Sequence, residues 1–370
     1  MAGIYVHIPF CASRCIYCGF YSTTGLLNTQ DEYVEALLKE LHLRADYLGD
    51  TPIETLYIGG GTPSLLSVAN IKRLGNRLAG MGKIKEFTME CNPDDVTPEL
   101  CDAMISVGIN RVSMGVQTFS DERLRFLRRR HTSKHIPYAI DLLRKAGIKN
   151  ISIDLMFGFP NESITEWKHD IDLAISMEAE HISAYSLMYE EGTTLYNMLR
   201  KGEIKEKGEE DYVTMYDTLI DKLSTSGFEH YEISNFARPG FRSLHNSSYW
   251  NGTQYMGLGA AAHSYNTKTR QCNVNNLTEY IKSIKSGIIP MEEEYIDEIT
   301  RYNDMITTAL RTCEGIDLQS LTPQAHDYII RNVRKSINNG LLEITNNHLK
   351  LTRRGLYVSD DVMSDLIWIT

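Results

Sequence analysis

The chain has 370 residues, 42% hydrophobic and 23% charged, with a formal net charge of −10. That length suits one large domain, or a large one and a small one, and the acidic balance argues against a general nucleic-acid binder, which would be basic. No apolar run approaches the roughly 18 residues of a membrane span, and MAGIYVHIPFC lacks the basic start and long apolar stretch of a signal peptide.

In chain order, IYVHI (4–8) is a β-type run, and residues 31–48 place Val34, Leu37, Leu38 and Leu41 at helical spacing. IETLYI (53–58) leads as a strand into GGGTPS, and NIKRLGNRLAGM reads as helix. EFTMEC (86–91) is a strand, Thr97-Pro98 opens a helix, RVSMGV (111–116) is a strand, and Ser120 caps DERLRFLRRR. ISIDLMF (151–157) is a strand. Ser163 and Glu166 form a capping box, HISAYSL (181–187) is a strand, and residues 211–227 are a helix. Such alternation implies parallel strands joined by right-handed crossovers. In a doubly wound sheet or a barrel alike, ligands bind at the carboxyl ends of the strands. The unusual residues fall there: Cys11, the GGGT turn, Glu90, Gln117 and Asp154. One site built from five strand ends favours a curved sheet.

We therefore expect an α/β fold. A partial (β/α)6 barrel would span 1–235, and an extension over 236–290 would close it and carry HNSSYW. A small winged-helix-like module would occupy 291–370. In that module, helical segments near 294–312 and 324–340 precede LLEI and LKLT, which flank Asn346-Asn347-His348 as a hairpin. Winged helices often bind DNA, but an acidic chain argues for a cap on the barrel, so no nucleic acid is expected.

Three of the seven cysteines, Cys11, Cys15 and Cys18, fall in C-x3-C-x2-C; Cys91, Cys101, Cys272 and Cys313 are scattered. This is no disulfide framework, and a reducing, cytoplasmic setting fits, with membrane association at most peripheral. Thiolates are the usual ligands of a [4Fe–4S] cluster, and three on one loop leave the fourth iron open to a small molecule. The alternative is zinc completed by His7, at a spacing unusual for zinc. Gly60 and Gly61 can bring bare backbone beside a ligand. Glu90 and Asp154 are carboxylates in apolar strands that need partners, and Gln117 can donate and accept.

CASRCIYC resembles the cluster loop of the radical S-adenosylmethionine (SAM) family. YVHIPFC, GGGTPSLL, ECNPD, RVSMGVQTF, IDLMFGFP and YEISNFARPG, in this order, resemble its coproporphyrinogen dehydrogenase-like branch over essentially the whole chain. The resemblance implies a [4Fe–4S] cluster on Cys11, Cys15 and Cys18, SAM on the open iron, and an electron donor whose electron releases a 5′-deoxyadenosyl radical. It implies a SAM pocket of Tyr5, Tyr17, Gly60, Gly61, Thr62, Glu90, Gln117, Arg129 and Asp154. Arg128 stands where relatives commonly carry Gly.

That branch holds an oxygen-independent coproporphyrinogen III dehydrogenase and a heme chaperone. Phe20 stands where the dehydrogenase has a further Cys, and the chain begins close to its first strand, where the dehydrogenase has a longer segment. HNSSYW (245–250), otherwise a polar turn with aromatics, matches a pattern associated with heme binding. It implies His245 as an iron ligand and Tyr249 and Trp250 as flat apolar surface, with His263 the next candidate ligand. The expectation is a heme chaperone holding heme, a [4Fe–4S] cluster and SAM, and delivering heme to acceptor proteins. The alternatives are the dehydrogenase, which decarboxylates porphyrinogen propionates, or a radical SAM enzyme for another substrate.

Overall fold

The computed structural model describes residues 1–369. Six parallel strands form the centre of one sheet: β1 (Ala2–Ile8), β2 (Ile53–Gly60), β3 (Glu86–Cys91), β4 (Arg111–Gln117), β5 (Asn150–Phe157) and β6 (His181–Ser186). A hairpin, β7 (Glu229–Glu232) and β8 (Asn235–Ala237), extends the β6 edge. On the other side β9 (Gln254–Leu258) pairs parallel with β1 and leads into the antiparallel β10 (His263–Tyr265), β11 (Thr269–Asn273) and β12 (Met291–Tyr295). The twelve-stranded order is β12-β11-β10-β9-β1-β2-β3-β4-β5-β6-β8-β7. The expected six-strand partial barrel is there, widened on both sides into a mixed sheet. Segment 254–295, not foreseen as strands, supplies most of that widening.

The two faces of the parallel strands differ chemically, because side chains alternate with period two. Outward positions are apolar and buried: Val6, Ile8, Leu56, Ile58, Phe87, Met89, Val112, Met114, Ile153 and Leu155. Helices cover them, including Val68–Ala79, Pro98–Ser106, His135–Ala146 and Ile164–Ser176. Their starts follow the sequence signals. Ser67, Thr97 and Ser120 cap by accepting from the third residue on, and Ser163 with Glu166 closes the capping box. Inward positions are polar: Thr55, Tyr57, Glu86, Glu90, Arg111, Ser113, Asp154, His181 and Ser183. Dry backs therefore leave one wet concave face for chemistry.

Several helices depart from expectation, and the one capped by Ser120 stops at Phe126 rather than running to Arg130. The first ends at Leu43 rather than 48, because Arg44 turns into the protein. Its guanidinium donates to Gly257 O at 2.8 Å, Ser264 Oγ at 2.9 Å and Gln271 Oε1 at 2.6 Å, and pairs with the buried Glu40. That network ties the β9–β11 extension to the first helix. HNSSYW is not a turn but the body of a helix, Leu244–Trp250, capped by Ser243 and packed into the concave face. Glu86 accepts from the N–H groups of Leu244 at 2.8 Å and His245 at 2.9 Å, placing an anion at the helix N-terminus.

The C-terminal segment builds its own core from Tyr302, Ile306, Ile329, Leu349 and Leu366, and a small sheet ordered β13 (Ile316–Asp317), β15 (His348–Leu351), β14 (Leu342–Thr345). The hairpin turn is Asn346-Asn347 alone, both at positive φ (50° and 63°), so His348 already belongs to the strand. The helix expected from 294 starts at Glu298, because 291–295 form the exposed edge strand β12. Arg353 binds Asp217 and Asp221, and Arg311 binds Glu232, fastening this module to the sheet's β7–β8 side. No helix among the described residues is long and apolar enough to cross a membrane.

Candidate cofactor site

A cavity of about 520 Å³ opens at the carboxyl ends of β1–β6. The loop after β1 forms one wall. Backbone bonds Thr23 N–H to Pro9 O (2.7 Å) and Cys11 N–H to Thr23 O (2.9 Å) pin it, and Ile16 plugs into a small core with Leu127, Phe159, Leu187 and Leu195. Wrapped around that anchor, the loop places Cys11, Cys15 and Cys18 in the cavity lining. Thr62 Oγ1 donates to Cys11 Sγ at 3.6 Å and Arg129 Nη1 to Cys15 Sγ at 3.7 Å. Burial pushes the Cys11 and Cys18 thiols up from their ordinary value, so a metal's charge is needed to hold both as thiolates. A zinc site with His7 is disfavoured. His7 Nδ1 meets Tyr5 Oη at 3.0 Å and Nε2 meets Tyr21 O at 2.9 Å. No three His, Cys, Asp or Glu side chains among the described residues converge on a single ion. A [4Fe–4S] cluster takes its three thiolates on three different irons, so cysteines on one cavity wall suit it without converging on one ion.

Gly60, Gly61 and Thr62 line the cavity, but the glycines answer first to the protein's own packing. Gly60 sits at φ +115°, and a Cβ there would lie 2.7 Å from the His7 ring. A Cβ on Gly61 would lie 2.8 Å from Phe10 O and 2.9 Å from Cys11 Sγ. Bare backbone is required here so that the cluster loop can close on β2. Glu90 Oε1 accepts from Tyr57 Oη at 2.8 Å and Oε2 from Gly60 N–H at 3.0 Å. Burial still pushes its carboxyl up to about 7, the Tyr57 bond opposing. Asp154 accepts from Ser113 Oγ at 3.2 Å, and burial raises it to about 6.

Arg129 donates to Gly115 O at 2.6 Å and to Asn92 Oδ1, while its buried Nε has no partner in the protein. Gln117, at φ +68°, and Tyr17 also line the cavity. The donor set fits SAM: two carboxylates at the edge of ionisation for an amino group and ribose hydroxyls, and an arginine with an orphaned N–H for a carboxylate. Tyr5 is the exception. It lies on the concave face level with Tyr57, bonded to His7, and is not in the lining.

The Leu244–Trp250 helix floors this space. His245 is buried, its Nδ1 2.9 Å from Thr55 Oγ1, its Nε2 3.0 Å from Tyr249 Oη, its ring stacked 5.2 Å from Tyr57. Burial, helped by Arg111, lowers its pKa to about 3, so the ring is neutral. Iron reaches Nε2 only if Tyr249 swings away. Tyr249 and Trp250 face a different groove of about 990 Å³, against the C-terminal module, where Trp250 Nε1 has no partner and Arg311 lies 5.1 Å over its ring. His263 is exposed beside Cys272, Nε2 to Sγ 3.5 Å.

Sequence reading missed Tyr57, Asn92, Ser113, Gly115, Ser183 and Asn246, all lining the cavity. Register is the signal that finds three of them. Ser113 lies opposite Glu90, Gly115 opposite Asp154, and Asp154 opposite Ser183. Asn246 carries no such signal, since it arrives from a helix distant in the chain.

Residues 5–174 match the radical SAM superfamily and residues 296–358 the HemN C-terminal domain. The heme chaperone HemW of Bacillus subtilis is 34% identical, over 98% of this chain and 98% of that protein. HemW of Mycobacterium tuberculosis is 31% identical, over 99% of this chain and 94% of that one. A solved structure of coproporphyrinogen III oxidase (HemN) from Escherichia coli superimposes with a TM-score of 0.85 at 22% identity, covering 99% of this chain and 90% of that one.

Proposed function

The chain belongs to the HemW heme-chaperone family of the radical SAM superfamily, and from that membership we propose that it binds heme and passes it to acceptor proteins. The observation that carries this reading is the near end-to-end match to the Bacillus heme chaperone, including the C-terminal module. Phe20, in place of a further cysteine, points the same way. Likeness to coproporphyrinogen III oxidase, at 22% identity, speaks for the shared fold.

Its cofactors are a [4Fe–4S] cluster and SAM. When bound, that pair supplies one-electron reduction of a sulfonium. In our reading Cys11, Cys15 and Cys18 hold the cluster. Glu90 would take the SAM amino group, Arg129 its carboxylate and Asp154 the ribose, while Gly60, Gly61, Thr62, Tyr17 and Gln117 would shape the walls. Tyr5 supports them through His7. We divide the work among 1–235 for the cofactors, 236–290 for the floor, and 291–370 for the module fastened to it. An electron donor for the cluster and heme-accepting proteins are the partners, and the cytoplasm is the proposed setting.

One sample decides between delivery and catalysis. Protein reconstituted anaerobically with iron and sulfide is titrated with heme, then incubated with SAM, reductant and coproporphyrinogen III. Saturable heme binding without decarboxylation is expected. Conversion to protoporphyrinogen IX overturns the chaperone reading.

A further inference from the structure

We propose that heme seats across the mouth of the cofactor cavity, one porphyrin face against Phe20, Tyr185 and Met188, its propionates on Arg14 and Arg128. This rests on the heme reading above and gives it a place. Phe20 is 71% exposed, Met188 58% and Tyr185 41%, and all three line the same cavity. They come from different elements: the end of the cluster loop, the last inward residue of β6, and the loop after it. Large apolar side chains left in water around one concave mouth are what a flat hydrophobic ligand covers.

Charge at the rim selects the ligand. Arg14 and Arg128 line the cavity, are exposed, and make no ion pair with any described residue. Arg14 donates only to Cys18 O, at 3.4 Å. Their neighbours are committed elsewhere: Arg130 pairs with Asp94 and Asp95, and Arg129 turns inward. Arg128 also sits at φ +60°, a left-handed conformation that favours glycine. A cation kept on a strained backbone at a ligand mouth points to a contact that repays the strain. Glu190 is the acid at this rim; Glu90 and Asp154 lie deeper. Two unpaired cations against one acid suit a dicarboxylate.

The other seats fit less well. The groove beside Trp250 sets Arg270 and Arg301 against Glu298, Asp304 and Asp317, and Arg270 is already paired with Asp304 and Glu294. His245 has both nitrogens engaged. At the mouth, the Met188 thioether is a soft axial donor for iron.

The test titrates the reconstituted full-length chain with hemin, and separately with iron-free protoporphyrin IX, following the Soret band. Variants are Arg128→Gly, Phe20→Ser, Met188→Ala and His245→Ala. Arg128→Gly removes the cation at a position glycine prefers, and iron and sulfide content reports whether each variant still loads its cluster. Arg128→Gly and Phe20→Ser are expected to weaken both ligands about tenfold or more, and Met188→Ala to change the Soret position with hemin only. Hemin affinity within twofold of wild type in all three rim variants overturns the seat, as does loss of binding confined to His245→Ala; both leave the chaperone reading standing. A wild-type chain that takes up no hemin overturns both.

Discussion

The same strands build two ends of one concave face, and the ends differ in how their polar groups are satisfied. At the floor, Glu86 is met by the N-terminus of the Leu244–Trp250 helix, His245 by Thr55 and Tyr249, and His181 by Ser152 and Tyr231. At the open end burial pushes the Glu90 and Asp154 carboxyls up to about 7 and about 6, Arg129 has an idle Nε, and Cys11, Cys15 and Cys18 share one wall. Burial is common to both, so burial alone does not mark a site. What marks it is polar capacity the protein leaves unspent. Arg111 blurs the line between them. Its buried guanidinium, beside Thr88 in register, finds no partner in the protein at all.

The sharpest break in that comparison comes at the open end. Serine at Cys11, Cys15 or Cys18 should abolish the cluster, because an alkoxide is a poor soft ligand; iron and sulfide analysis checks it, and stoichiometric zinc without sulfide in the wild type would refute the cluster. Gly61→Val should also fail to load the cluster, since its Cβ would meet Cys11 Sγ at 2.9 Å; normal iron content would place the glycine's role with SAM alone.

Floor substitutions should cost stability instead. Glu86→Ala strips the acceptor from two helix N–H groups, and His245→Ala opens a cavity and orphans Thr55 and Tyr249. Each should destabilise by about 2–4 kcal/mol, visible as a lower Tm, with cluster content unchanged in the folded fraction. Loss of the cluster with no change in Tm would erase the distinction between the ends.

The smallest effect is a pH dependence. Glu90 has a pKa of about 7, against an ordinary 4.5, and it faces Tyr57, Asp154, Arg111 and Gly60. Because the fold favours the protonated form, the ligand-free protein loses stability as pH rises from about 4.5 through 7. The SAM amino group donates best to the ionised carboxylate, so SAM affinity should fall as pH drops below about 7, by up to tenfold per unit. Asp154 adds to the fall below about 6. Calorimetry across this range checks it. Glu90→Gln should bind weakly at every pH; a slope between pH 6 and 7 that survives in that variant assigns the upper titration elsewhere.

Much of this was legible in the sequence where the physics is local. Capping side chains marked helix starts within a residue, and cysteine spacing located the cluster loop. Carboxylates in apolar strands located Glu90 and Asp154, which need only strand periodicity. The rest depended on distant partners. HNSSYW reads as a polar turn because its helix is completed by Glu86, contributed from β3. The His135–Ala146 helix was not foreseen; its Pro137 falls in the first turn, where proline costs little. Tyr5 follows the strand pattern of a site residue and lies level with Tyr57, yet its hydroxyl is bonded to His7 and only Tyr57 reaches the cavity lining.

The edge strand β12 has a meaning of its own. A closed barrel has no free rim, but this sheet stops at Met291-Glu292-Glu293-Glu294-Tyr295, with every residue exposed. Unpaired backbone along such a rim is a template for another chain. Here a second copy docking strand to strand would bring rows of carboxylates face to face, and like charges directly opposite repel. With Glu294 paired to Arg270, Glu292 and Glu293 carry most of that repulsion, which disfavours edge-to-edge growth of the open sheet.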